Sequence, residues 1–292
     1  MNIVICATQV PFVRGGAENH IDGLRDALRE HGHLVDVVSL PFKWYPKAEI
    51  LKSALAWRLL DLSESNGVPI DMVICTKFPT WAVRHPKKVA WVIHQHRQAY
   101  DWFGTPLSDF TNSPDDAAIR RRITSIDRRG LGECVARYAN SANVAGRLEQ
   151  SIGLSATPLH VPINLRGLSA EAYEGYVLSV SRLDRAKRVD LLLRALALSP
   201  SGIRAVIAGD GPELDALKKL ARDLSIDDRV QFVGRVSDEE LARLYNRARA
   251  VFYSPVDEDF GLVTVEAFTA AKPVITASDS GGVLELVEQE RS

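Results

Sequence analysis

The sequence predicts an α/β protein built as two doubly wound, Rossmann-like domains. Short apolar runs rich in β-branched residues alternate with helical stretches along most of the chain, and that alternation pauses after residue 160 and restarts near residue 175. Alternation of this kind argues a parallel sheet covered by helices on both faces. At 292 residues the chain is long enough for two domains, each with its own core. The boundaries expected are 1–165 and 166–292, with His160–Gly175, HVPINLRGLSAEAYEG, as the linker because few apolar residues follow Pro162.

The first half opens with NIVICATQ, a core strand, so the N-terminus is expected to be unprocessed. The helix after it places Ile21, Leu24 and Leu28 on one face and has Gly32 positioned to end it. HLVDVVSLPF, a helical stretch near 48–62, DMVICTKF and KKVAWVIHQH continue the alternation. Ser113, Pro114, Asp115 and Asp116 form a helix-start signature: a capping hydroxyl, a proline at the first helical position and acids in the first turn. The helix they open carries Arg120, Arg121, Arg122, Arg128 and Arg129, either as a solvated face or as a basic surface for anionic lipid headgroups. YANSANVAGRL closes the domain with a strand and a helix.

The second half runs GYVLSVSRL, VDLLLRALAL, IRAVIAGDG, PELDALKKLARDLS, RVQFVGRV, SDEELARLYNRA and ARAVFYSP, with Ser237 and Glu240 spaced as a capping box. AAKPVITASDSGG then supplies a fifth strand, and VLELVEQE reads as helical. Composition narrows the function. Lys plus Arg 36 against Asp plus Glu 37 leaves a net charge of −1, so the whole molecule offers no electrostatic case for nucleic acid. No apolar run approaches the length of a membrane span. Cys6, Cys75 and Cys134 are far apart and odd in number, which reads as reduced core thiols and a cytoplasmic setting.

The densest functional signal is Ser254–Ala267, SPVDEDFGLVTVEA, where a strand stopped by Pro255 passes through a loop into a helix. Glu258 falls in the loop and Glu266 on the helix, at the carboxyl edge of the strands where open α/β sheets bind ligands. A helix start there also presents free N–H groups to an anion. In the first half, Gly15 and Gly16 open a helix without the three-glycine dinucleotide fingerprint, which speaks against NAD. His94 and His96 bracket a strand end, but no partnering cluster has the spacing of a zinc site.

Taken in order, Ser181-Arg182-Leu183 with Lys187, GDGPE from Gly209, DEDFGLVTVEA, KPVI and GGVLE resemble the donor-nucleotide half of the retaining glycosyltransferases of family 4, which have the GT-B fold. The resemblance implies two Rossmann-like domains facing across a cleft, an N-terminal acceptor side and a C-terminal donor side. Chains of that kind continue with a further strand and helices, so this one is expected to be truncated, its second domain incomplete. By the same resemblance Arg182 and Lys187 hold the diphosphate, and Ser181 stands where a glycine is frequent. Glu258 contacts donor-sugar hydroxyls and Glu266 accepts from the ribose; Phe260, Gly261 and Leu262 offer backbone to sugar or phosphate. Gly209 and Asp210 either line the nucleotide pocket or form a simple turn. Gly15 and Gly16 face donor phosphate and acceptor, and His94 lies near the donor sugar. Arg97, Asp101 and Trp102 belong to the acceptor side, and the other tryptophans, Trp44, Trp57, Trp81 and Trp91, are expected in the core.

The implied activity is transfer of a hexose, with retention, from a nucleotide-diphosphate sugar to a saccharide or lipid-linked acceptor. Neither cofactor nor metal is expected, because the two cations replace a divalent ion. Two alternatives remain: a truncated relative that binds a nucleotide sugar without turnover, and a sugar-nucleotide epimerase of the same fold.

Overall fold

The computed structural model describes residues 1–12, 15–171 and 173–288. The chain divides into two compact units, Met1–Pro162 and Ile163–Ser292. In the first, strand β1 (Asn2–Gln9) is buried on both faces from Ile3 to Ala7, which places it inside a sheet rather than at an edge. Helix α1 (Gly16–Glu30) follows, and Gly32, at φ 79°, lets the chain turn back into β2 (Leu34–Pro41). Next come α2 (Ala48–Leu59), a short hairpin of β3 (Glu64–Ser65) and β4 (Val68–Pro69), β5 (Met72–Cys75) and β6 (Lys88–Val92). Helix α3 (Pro114–Gly132), β7 (Ala136–Ala139), α4 (Ala142–Ile152) and β8 (Thr157–Pro158) complete the unit.

The sheet is parallel, in the order β2-β1-β5-β6-β7-β8. Ser113 caps α3 by accepting from the Asp116 amide at 3.2 Å, an interaction of about 1 kcal/mol. Of the four tryptophans expected in the core, Trp44 departs from that placement. Trp57 and Trp81 are fully buried, but Trp44 lies beyond the end of β2, is 39% exposed and stacks on Phe42. Trp91 is half-buried on the other face of β6, edge-on to His20 at 4.3 Å. The three cysteines are buried free thiols.

The second unit contains β9 (Tyr176–Val180), α5 (Val189–Ala197), β10 (Arg204–Ala208), α6 (Leu214–Asp223), β11 (Val230–Gly234), α7 (Asp238–Arg247), β12 (Ala250–Phe252), α8 (Leu262–Thr269) and β13 (Val274–Ile275). Its parallel sheet has the order β11-β10-β9-β12-β13. Each sheet therefore has one switch point, between β1 and β5 in the first unit and between β9 and β12 in the second, where neighbouring strands send their following loops to opposite sides.

Three local expectations are corrected. Ser237 caps α7 through the Glu240 amide, but the Glu240 carboxylate pairs with Arg243 instead of returning to the cap. The helix expected after Gly281 is a single tight turn, Gly282–Glu285, and residues 289–292 lie outside the described residues. The expected linker is partly fastened down: Asn246 on α7 donates to Gly167 O and accepts from Ser169 N, and Lys272 donates to Glu171 O. Among the described residues no helix is long and apolar enough to cross a membrane.

Candidate active site

The turn after β9 and the loop after β12 flank the second switch point, and they bring Lys187 and Glu258 together across 71 positions of sequence. The Lys187 ammonium donates to Glu258 Oε2 at 2.5 Å and to Tyr253 Oη at 3.2 Å. Burial works against charge on Lys187, but the Glu258 carboxylate and the Tyr253 hydroxyl more than offset it and hold the amine well above its ordinary range. Burial, reinforced by Glu258, pushes the Tyr253 phenol up, so it stays protonated at neutral pH.

The backbone around this pair is tightly fixed. Arg188, in the left-handed region at φ 49°, donates to Ser254 O, Pro255 O and both oxygens of Asp279. Val256 N donates to Ala186 O, Glu258 N to Ser280 O, and Gly282 N to Glu258 O. A Cβ on Gly282 would stand 2.3 Å from Asp259 O, so only glycine lets these strands of loop meet. Phe260 is buried, and Gly261, at φ 88°, begins α8. Leu262 is half-buried in its first turn. Glu266, further along α8, is half-buried and accepts from the Tyr245 hydroxyl at 2.7 Å; burial raises its pKa against the pull of that bond.

Arg182 is exposed, its guanidinium 3.8 Å from Asp184. A Cβ on Gly209 would sit 1.8 Å from Ser181 O, so packing against the loop after β9 already requires that glycine. Asp210 is exposed beside it and accepts from Gly211 N. Ser181, Thr264 and Ser280 carry buried hydroxyls without a hydrogen-bond partner among the described residues, groups that a polar ligand would satisfy.

In the first unit Arg97, Asp101 and Trp102 are engaged with one another, and His94 and Gly15 with near neighbours in sequence. His94 is half-buried with Nδ1 2.7 Å from Gln95 O. Arg97 donates twice to Asp101, at 2.8 and 2.6 Å, and stacks over Trp102 at 4.3 Å. His96 sits among Phe42, Phe78 and Phe110, and burial, with the charge of His94, lowers its pKa to about 4. Exposed Gly15 donates its amide to Glu18 at 2.8 Å, and Glu18 also binds Lys77 at 3.1 Å; Gly16 begins α1 beside them.

Residues 167–292 match the family model described as glycosyl transferases group 1. An uncharacterized glycosyltransferase of Methanocaldococcus jannaschii is 26% identical over 96% of this chain and 80% of its own length. The D-inositol 3-phosphate glycosyltransferase of Mycolicibacterium smegmatis is 42% identical, over 35% of this chain and only 24% of that protein. Among solved structures, sucrose-phosphate synthase of Thermosynechococcus elongatus superposes with a TM-score of 0.74 at 20% identity, covering 99% of this chain and 84% of that one. Anabaena HepE, solved with UDP and glucose, gives 0.66 at 21%, covering 98% and 83%. The fold is GT-B, and the second unit is similar to glycosyltransferases.

Three residues around these sites, Tyr253, Arg188 and Asp127, carried no sequence signal strong enough to select them. Tyr253 reads as the end of a buried strand; its position directly after a strand bordering the switch point was the available clue. Arg188 stands at the start of α5, where a cation is an ordinary surface choice. Asp127, inside the arginine helix, is fully buried and accepts from Trp81, Gln95 and Tyr100. Arg120 is tied to its own unit: it donates to Ala99 O and lies over Phe103.

Proposed function

We propose that the chain transfers a hexosyl group from a nucleotide-diphosphate sugar to a saccharide or lipid-linked acceptor with retention of configuration. The observation that carries this reading is the meeting of Lys187 and Glu258 at the second switch point. A cation aimed at the departing diphosphate acts where charge develops, and so lowers the barrier. Lys187 and the exposed Arg182 take that role, Glu258 takes the sugar hydroxyls, and Glu266 takes the ribose. Phe260, Gly261 and Leu262 supply the backbone beside the sugar, with Gly209 and Asp210 lining the nucleotide. In the first unit His94 serves the donor sugar, Gly16 the donor phosphate, and Gly15, Arg97, Asp101 and Trp102 the acceptor. Leaving group and incoming hydroxyl share one face of the sugar, which needs no protein nucleophile.

A groove of about 660 Å³ runs along α3, lined by Arg120, Arg121, Thr124, Ser125, Arg128 and Arg129. We read Arg120, Arg121, Arg122, Arg128 and Arg129 as a contact for an anionic membrane surface, which suits a lipid-linked acceptor. The first test is the melting temperature of the chain with a panel of nucleotide diphosphates and their sugars, beside Arg182→Ala. One nucleotide family should raise it by mass action, and the variant should lose the shift. Absence of any shift in the unsubstituted chain would overturn the donor reading.

A further inference from the structure

Tyr245 is a buried tyrosine whose hydroxyl meets one of the residues read above as donor-binding. It lies on the inner side of α7 with Ala242 and Asn246, is fully buried, and belongs to the same core cluster as Leu178 of β9, Val251 of β12 and Ala267 of α8. Its neighbour Asn246 is bonded to Gly167, Ser169 and Glu171, which holds this end of α7 in place. A ring packed on all sides is held in its rotamer, so its hydroxyl is a fixed donor. Burial, reinforced by Glu266, pushes the phenol well above its ordinary range, so it keeps its proton and donates it to Glu266 Oε2 at 2.7 Å. Across that bond α7 sets the position of a side chain on α8, the helix that follows β12.

We propose that Tyr245 is a positioning residue that fixes Glu266 for the 2′-hydroxyl of a ribose, so that the site takes ribonucleoside-diphosphate sugars and rejects their 2′-deoxy counterparts. The inference rests on the donor reading above and deepens it. Tyr245 acts through Glu266: by holding Oε2 it sets the direction in which Oε1 points. The 2′-hydroxyl of a bound ribonucleotide donates to that carboxylate in place of water. A 2′-deoxyribose offers no donor there, and its binding takes water from a half-buried carboxylate without replacing the bond. A site built to meet a hydroxyl rejects the ligand that lacks it, provided the acceptor cannot turn aside. Tyr245 supplies that condition. Without its bond the Glu266 side chain swings out to water, and the penalty on the deoxy ligand disappears.

Calorimetric titrations of the full chain use UDP, GDP, ADP and their 2′-deoxy analogues as probes. For the base that binds, the unsubstituted chain should favour the ribonucleotide about tenfold. Tyr245→Phe should weaken the ribonucleotide about fivefold and leave the deoxynucleotide unchanged, so that the preference falls to about twofold. A merely structural role for Tyr245 would weaken both by the same factor, and that result overturns the proposal. Melting of the variant is recorded alongside. If it does not fold, Glu266→Asp draws the carboxylate back from Tyr245 with its charge kept; the preference should be lost there too, and its persistence would show that placement by Tyr245 is not required. An unsubstituted chain that binds both sugars of one base equally well keeps its donor site and loses this inference. One that binds none of these probes overturns the donor reading and the inference with it.

Discussion

The two switch points of this molecule carry the same chemical pair in different settings. Between β1 and β5 stands Lys77–Glu18 at 3.1 Å; between β9 and β12 stands Lys187–Glu258 at 2.5 Å. In the first unit Glu18 also accepts from the Gly15 amide, so its carboxylate occupies the anion position at the start of α1 and completes a helix terminus. In the second unit the glutamate lies in a loop rather than on a helix start, and its lysine is shared with the phenol of Tyr253. An identical ion pair is therefore part of a helix cap in one place and joins two loops in the other. The two pairs differ in a further partner of one member: a backbone amide on Glu18, a side-chain hydroxyl on Lys187.

Paired substitutions give the largest expected contrast. Lys187→Ala should lower sugar transfer by about 100-fold or more, in line with removal of a group that meets charge developing in the transition state. Lys77→Ala should leave binding of the bare nucleotide diphosphate unchanged, as measured by calorimetry. Comparable loss of nucleotide affinity in both variants would erase the distinction between the two pairs.

Acid sharpens the comparison through buried groups of the first unit. Burial holds His20 down to about 4, and burial with the charge of His94 does the same for His96. Between about pH 6.5 and 4 the unfolded chain takes up protons that these folded imidazoles refuse, so stability is lost as pH falls through that window. Asp127 acts in the opposite sense. Burial pushes its carboxyl up to about 6, against the pull of its three donors, so it binds its proton before the unfolded chain does and adds stability as pH falls from about 6 toward 4. Asp127→Asn should consequently make the acid-side fall in melting temperature steeper. Identical slopes for the two proteins from pH 7 to 4.5 would contradict this balance. Lys187, held well above its ordinary range, keeps its charge throughout that interval.

The smallest effect concerns the basic face of α3. Reversing Arg121 and Arg122 to glutamate should weaken sedimentation with phosphatidylglycerol vesicles by about 1 kcal/mol per residue at low salt. Melting of the protein and its nucleotide affinity should not move. Equal binding by the variant would leave these arginines as a solvated face.

Much of the fold was legible because secondary structure depends on near neighbours. The period of Ile21, Leu24 and Leu28, the Ser113-Pro114 start and the apolar runs of β1, β9, β10 and β12 each show within a few residues. Glu258 and Glu266 could be named because a strand, loop and helix in succession set both at one edge of a sheet. Partners could not be named in the same way. The expected core position of Trp44 failed because the chain had already passed the end of β2, and the second half of the Ser237–Glu240 cap failed because Arg243, one turn along, competed for the carboxylate.

By itself, then, the sequence determined the order of strands and helices, the division into two halves and the loops that bear the cations and carboxylates. Those features follow from local backbone preference and from the spacing of apolar residues. Only the tertiary structure decided that Lys187 would meet both Glu258 and Tyr253, that Arg188 would tie its turn to Ser254 and Asp279, and that Asp127 would hold Trp81, Gln95 and Tyr100. Strand order is the reason. Placing β12 beside β9 sets side by side loops that lie about seventy residues apart along the chain, and no local period records that adjacency.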